Sequence, residues 1–103
     1  MTQIQSESGS DPGELRIRVN GRFDFEGHRA FRDAYEQADG VRRFVVDLSA
    51  TDYVDSAGLG MLLLLREHAR HHGAAVAIAG ANSAVERILR IACFHELFEM
   101  SRA

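Results

Sequence analysis

The chain has 103 residues, 46% of them apolar and 26% charged, with a formal net charge of −3. That length allows one domain with a modest core, and the composition excludes a disordered or fibrous chain. Slight acidity argues against general nucleic-acid binding, the longest apolar run, Met61 to Leu65, is far short of a bilayer span, and the single cysteine allows no internal disulfide.

The opening MTQIQSESGS has no basic or apolar segment, so no signal peptide and a cytoplasmic protein are expected. A single domain is expected over 1–103, with 1–14 as an N-terminal strand, Thr2 to Ser6, and a turn around Pro12. ELRIRVNGRF then alternates, with Leu15, Ile17, Val19 and Phe23 on one side and Arg16, Arg18, Asn20 and Arg22 on the other. Period two marks a half-buried strand whose arginines face solvent or a partner, a solvated stripe being the favoured reading. EGHRAFRDAYEQADG changes to helical spacing, with Ala30, Phe31, Ala34, Tyr35 and Ala38 on one face and Gly40 as the C-cap.

RRFVVDLS reads as a strand with Phe44, Val46 and Leu48 facing inward, and ATDYVD as a loop. A helix follows from about Ser56 to His72, closed by Gly73. AAVAIAG is a short buried strand, and NSAVERILRIAC a helix with a capping box from Ser83 to Glu86. FHELFEM is a last short element. Short links between alternating strands and helices favour right-handed parallel crossovers. The expected fold is α/β, one mixed, mainly parallel sheet of about four or five strands with helices mainly on one face.

The chemistry concentrates at YVDSAGLGMLLLL, residues 53–65. Ser56 follows a strand and opens a helix, so one reading is a plain N-cap. Ala57, Gly58 and Gly60 add little bulk and let another surface approach. A hydrolase nucleophile is disfavoured, because VDSAG lacks the first glycine of G-x-S-x-G. A nucleotide-phosphate loop is disfavoured too, because DSAGLG has no lysine. The third reading is a phosphorylation switch. A phosphoserine carries about −1.5 to −2 charge, and a helix start tolerates it. Asp52 and Asp55 lie in this loop and no arginine does, so an added phosphate would act on a partner, not on an internal cation.

Along the helix after Ser56, Gly58, Leu62, Leu65 and Ala69 form one arc, expected in the core. Leu59 and Leu63, with Arg66 and Arg70, form a second arc suited either to the core or to a partner. His68, His71 and His72 have no accompanying HExxH and read as a solvated helix end, not a metal site. Cys93, in an apolar helical stretch, reads as a buried, inert thiol.

VNGRFDF, FVVDLSATDYVDSAGLGMLLLL and AVERILRIACFHELF together resemble the STAS domain of bacterial anti-sigma factor antagonists, over about Leu15 to Met100. The resemblance implies a non-enzymatic switch protein without a cofactor, with Ser56 as the regulatory phosphosite. It implies binding of an anti-sigma factor with serine kinase activity when Ser56 is unmodified, release when it is phosphorylated, and reversal by a serine phosphatase. GRFDFEGHRAFRDAY and MLLLLREHA suggest a proteobacterial subgroup, in which that phosphatase often carries a response-regulator receiver and the final target can be a flagellar, secretion or biofilm regulator. Asp24 is implied as a contact to the partner or its nucleotide, and Asp55 as a residue setting local geometry and charge. The partner surface is thus expected at Asp24, Asp55, Ser56, Ala57, Gly58, Leu59, Leu63 and Arg66, with no nucleic acid and no membrane involved. Cys93 stands where the family more often has glycine. The alternative is a nucleotide- or ligand-sensing STAS module within a larger signalling complex, which nucleotide titration distinguishes.

Overall fold

The structure, a computed structural model, describes residues 2–101. Its centre is β2 (Glu14–Phe23), whose alternation buries Ile17, Val19 and Phe23 completely. β1 (Thr2–Ser8) pairs antiparallel with one edge of β2, from Thr2 opposite Gly21 to Ser8 opposite Leu15. Along its other edge β2 takes two parallel partners in succession. Residues 14–18 lie beside β3 (Arg43–Asp47), and residues 21–23 beside β4 (Thr51–Val54). β5 (Ala75–Ala79) adds beside β3, and β6 (Glu99–Ser101) beside β5, both parallel.

Three helices close one face: α1 (His28–Glu36), α2 (Ser56–His71) and α3 (Ser83–Ile91). Phe31 and Tyr35 of α1, Leu62, Leu65 and Ala69 of α2, and Val85 and Leu89 of α3 share one core with Ile17, Val19, Phe44, Val46 and Ile78 of the sheet. Each fully buried Leu, Ile or Phe there contributes roughly 1.5–3 kcal/mol relative to exposure. The mixed, mainly parallel α/β sheet with helices on one face agrees with the sequence. Ala30 differs, being exposed, and Gly40 (φ 69°) lies beyond the helix, which ends at Glu36.

The sheet has six strands because ATDYVD contains β4 instead of being a loop. Asp52 and Tyr53 are both exposed, so the segment lacks period two, and the register shifts between Gly21 and Arg22. Polar bonds hold it. The Thr51 hydroxyl donates to the Val19 carbonyl (2.7 Å), the Gly21 amide to Ala50 (2.9 Å), and the Asn82 side chain to the Thr51 carbonyl (3.3 Å).

The capping box at Ser83 is not formed. Asn82 caps α3, its side-chain oxygen accepting from the Val85 amide at 2.9 Å, while Ser83 is the first helical residue. Glu86 instead bonds Arg90 one turn on. The arginines of β2 do face away from the helices, but as ion-paired groups instead of a solvated stripe. Arg16 lies 3.0 Å and Arg18 3.4 Å from the buried carboxylate of Asp47. Burial would raise the Asp47 pKa, but hydrogen bonds from Ser49 and the Arg16 guanidinium hold it below its ordinary value.

Cys93 is exposed, not buried, because α3 stops at Ile91 and the chain turns through Cys93 with φ 62°. That left-handed conformation suits glycine and strains a side chain. Cys93→Gly is therefore expected to be neutral or to stabilise by up to about 1 kcal/mol in urea unfolding, where a Gly substitution in ordinary helix would cost a similar amount.

His68 is not a solvated helix end. Its ring packs 4.9 Å from Tyr35, 6.1 Å from Phe44 and 4.3 Å from His72. His71 pairs with Glu67 (3.2 Å), and among the described residues no group of three or more His, Cys, Asp or Glu could hold a metal. Burial first, then the charges of His72 and His71, hold the His68 imidazole below its ordinary pKa, against an opposing pull from Glu36. The unfolded chain then binds more protons just below its own imidazole pKa of about 6.5. The stabilising contribution is fully present above that pH and is lost as pH falls below it. The urea midpoint is expected to drop between about pH 7.5 and about pH 5.5, and to drop less in His68→Gln; equal drops would remove His68 as the cause.

Candidate functional site

The carboxyl ends of β2 and β4 meet at the start of α2. Phe23 pairs with Val54, and the Asp55 amide donates to the Phe23 carbonyl at 3.3 Å. Neighbouring strands lie about 4.8 Å apart, so Asp24 and Asp55, each the next residue along, emerge side by side. Asp55 is the N-cap of α2. Its backbone is extended (φ −95°, ψ −176°), and its Oδ1 accepts from the Gly58 amide at 2.9 Å.

Because Asp55 caps the helix, Ser56 is not the cap. It is the first helical residue, it is exposed, and its hydroxyl has no hydrogen-bond partner among the described residues. No imidazole or carboxylate is therefore bonded to it as a base. The helix dipole and free amides of the first turn favour negative charge there. Gly58, one turn in, is buried against β2, where a Cβ would fall 2.4 Å from the Phe23 carbonyl oxygen. Ala57 lies between the two, half-buried.

Asp24 caps the 3₁₀ turn Phe25–Gly27, accepting from the Glu26 amide (3.1 Å) and the Thr2 hydroxyl (2.8 Å). The Thr2 hydrogen bond chiefly holds its carboxyl below the usual pKa, with help from Glu26 and Arg22. Asp24 is thus a structural anchor of the turn as well as a surface carboxylate. The turn presents Phe25, 70% exposed and stacked on His28 with centroids 5.2 Å apart.

Further along α2, Leu59 is half-buried against the core, whereas Leu63 (42%) and Leu64 (57%) are exposed. Gly60 shares their outward arc, with open space where a Cβ would stand. At 1.5 Å per residue, Leu63 lies about 10 Å and Arg66 about 15 Å along the axis from Ser56. Arg66 turns to the C-terminal segment, its Nε donating to the Leu97 carbonyl at 3.2 Å. The structure thus gathers Asp24, Asp55, Ser56, Ala57 and Gly58 at one end of the sheet, with Leu59 and Leu63 beyond them and Arg66 more than two turns away.

Residue types alone did not bring Arg22, Phe25 or Leu64 to this surface, whereas Gly60 was expected beside Ala57 and Gly58. The loop has no arginine of its own, but strand pairing sets Arg22 over the Tyr53 ring (4.9 Å), with Asp24 at 3.6 Å. A cation therefore stands beside the loop, contrary to the expectation from the local sequence. Leu64 was signalled by the run Leu62–Leu65, since four consecutive helical leucines cannot all face one core.

The family model described as "Mlab, STAS domain" matches residues 7–99. A STAS-domain containing protein from Pseudomonas aeruginosa (strain UCBPP-PA14) is 50% identical over 99 residues, covering 95% of this chain and 98% of the relative. SpoIIAA, an anti-sigma factor antagonist, superposes in its unphosphorylated form with a TM-score of 0.77 at 16% identity, over 98% of this chain and 89% of that one. SpoIIAA of Bacillus in its phosphorylated form gives 0.76 at 14% identity, over 98% and 92%. An anti-sigma factor antagonist from Mycobacterium paratuberculosis gives 0.78 at 20% identity, over 98% and 87%. At those identities the solved structures speak for the fold alone. The family model and the Pseudomonas relative, each spanning nearly the whole chain, establish more: this chain belongs to the STAS-domain family.

Proposed function

We propose that the chain is an anti-sigma factor antagonist, a non-enzymatic binding module switched by phosphorylation of Ser56. One observation carries this reading: the Ser56 hydroxyl is exposed and unbonded while Asp55 does the capping. Adding a phosphate removes no internal hydrogen bond and meets the favourable end of a helix dipole, so the fold survives modification. The fold shared with SpoIIAA supports the antagonist role.

The unmodified chain binds an anti-sigma factor with serine kinase activity around Asp24, Asp55, Ser56, Ala57 and Gly58, with Leu59, Leu63 and Arg66 extending the surface along α2. Phosphorylation releases it, and a serine phosphatase restores binding. A like charge on the partner about 6 Å from the phosphate, at an effective dielectric near 20, costs roughly 3 kcal/mol before screening. Half of that is about a tenfold loss of affinity.

The expected result in a pull-down with the kinase-like partner is strong binding by Ser56→Ala and weak binding by Ser56→Glu. Mass spectrometry of the chain from cells should find phosphate on Ser56. Equal binding by wild type and both variants would remove the switch. Saturable binding of a nucleotide near Ser56 without any protein partner would point instead to a ligand-sensing module.

A further inference from the structure

β1 is an edge strand, and hydrogen bonding reveals which of its residues face outward. The Gly9 amide donates to the Glu14 carbonyl at 2.8 Å, so Gly9 faces β2. Facing alternates along an antiparallel ladder. Glu7, Gln5 and Gln3 therefore also turn their backbone groups to β2, while Thr2, Ile4, Ser6 and Ser8 turn theirs to the open edge. The far side of β2 agrees. The carbonyls of Val19 and Phe23 and the amide of Gly21 are bonded by Thr51, Asp55 and Ala50, which leaves the alternate residues for β1.

This edge carries little of the usual protection, Glu7 being its single charged residue. The strand TQIQSES has no lysine and no proline, and its register with β2 is unbroken. Open edges of this kind pair with further strands unless blunted. Gly27 packs against the side chains of Thr2 and Ile4, on the face of the strand, not along its edge.

We propose that a second copy of the chain pairs here, β1 against β1, antiparallel about a two-fold axis at Gln5. That register sets Thr2 opposite Ser8 and Ile4 opposite Ser6 of the second copy, and it uses every outward-facing residue of the strand. The side chains are self-complementary. Glu7 falls opposite Gln3, and Gln5 opposite Gln5, so no like charges meet across the axis. Glu7 is already 3.7 Å from Arg18 of its own protomer. Half-buried Ile4 gains a neighbouring strand. The Thr2 hydroxyl bonds Asp24, so the second copy borders the candidate site and steadies the strand that holds this carboxylate.

Sedimentation equilibrium of the intact chain over a concentration series tests the pairing. Wild type is expected to dimerise reversibly. Gln5→Lys and Gln5→Glu each set like-charged side chains directly opposite one another, on Cα atoms about 4.5 Å apart, and each is expected to raise the dissociation constant severalfold, up to about fivefold. An equimolar mixture of the two is expected to pair again. Ser6→Pro deletes an outward amide without removing a bond to β2, and is expected to weaken pairing as much. The charged positions are exposed, so the charge swap stands even if the proline variant fails to fold. A wild type that stays monomeric to about 1 mM would overturn the proposal, and so would a dimer indifferent to all three substitutions.

Discussion

Gly58→Ala is expected to destabilise the chain by about 2–3 kcal/mol, and Gly60→Ala to stabilise it by about 0.5–1 kcal/mol. The two glycines stand two residues apart in the same helix. At Gly58 a Cβ would come within 2.4 Å of the Phe23 carbonyl oxygen and 2.9 Å of Val54 Cγ1. The first is backbone inside a paired strand and has nowhere to go. At Gly60 a Cβ would meet nothing within 4 Å, so alanine only removes the entropic cost of an interior helical glycine. Urea unfolding of both variants, compared at equal m-values, reads the difference. Equal midpoints would mean that α2 does not press on the end of β2. That contact fixes Ser56 relative to Asp24, so Gly58→Ala is also expected to weaken partner binding. Gly60→Ala tests a separate matter, whether a partner needs close approach to the helix backbone: stabilised yet binding poorly would show that it does.

Much of this arrangement was legible in the residues because burial in a half-covered sheet imposes a period. Ile17, Val19 and Phe23 announced β2, and Phe31 with Tyr35 announced the inner face of α1. β4 was hidden because it is held by hydrogen bonds from Thr51 and Asn82 and shows no alternating apolar side chains. The cap of α3 was misplaced by one residue, and at α2 the plain-cap reading of Ser56 gave way to Asp55, since Asp-Ser and Asn-Ser each offer two good capping residues in a row. Only geometry decides between them, and in both helices the first takes the role. At residue 56 the consequence is structural: a serine relieved of capping keeps its hydroxyl free. Cys93 was misjudged because an apolar stretch was taken to continue a helix that ends at Ile91. Arg22 escaped notice because its proximity to Tyr53 arises from pairing between strands about thirty residues apart, which no local pattern encodes.

Leu62 and Leu63 are adjacent in sequence and face opposite environments, so alanine at each separates folding from docking. Leu62 is fully buried in the core, and Leu62→Ala is expected to cost about 3–5 kcal/mol through lost burial and the cavity left behind. Against a typical total of about 5–15 kcal/mol for a domain, that leaves the variant marginal at best. Leu63 is 42% exposed on the outward arc that begins at Ser56, and Leu63→Ala is expected to change stability by no more than about 0.5 kcal/mol. If the partner seats along that arc, the same variant loses roughly 1 kcal/mol of binding, about fivefold in affinity, and adding Leu64→Ala deepens the loss. Calorimetric titration with the proposed anti-sigma partner, alongside urea unfolding, reads both quantities on one preparation. A stable Leu63→Ala that binds as well as wild type would confine the docking surface to the first turn of α2 and the loop before it. A Leu63→Ala as unstable as Leu62→Ala would mean that this face of the helix is already occupied within the fold, leaving Phe25 and the Asp24 turn as the surface beside Ser56 on which a partner can gain affinity.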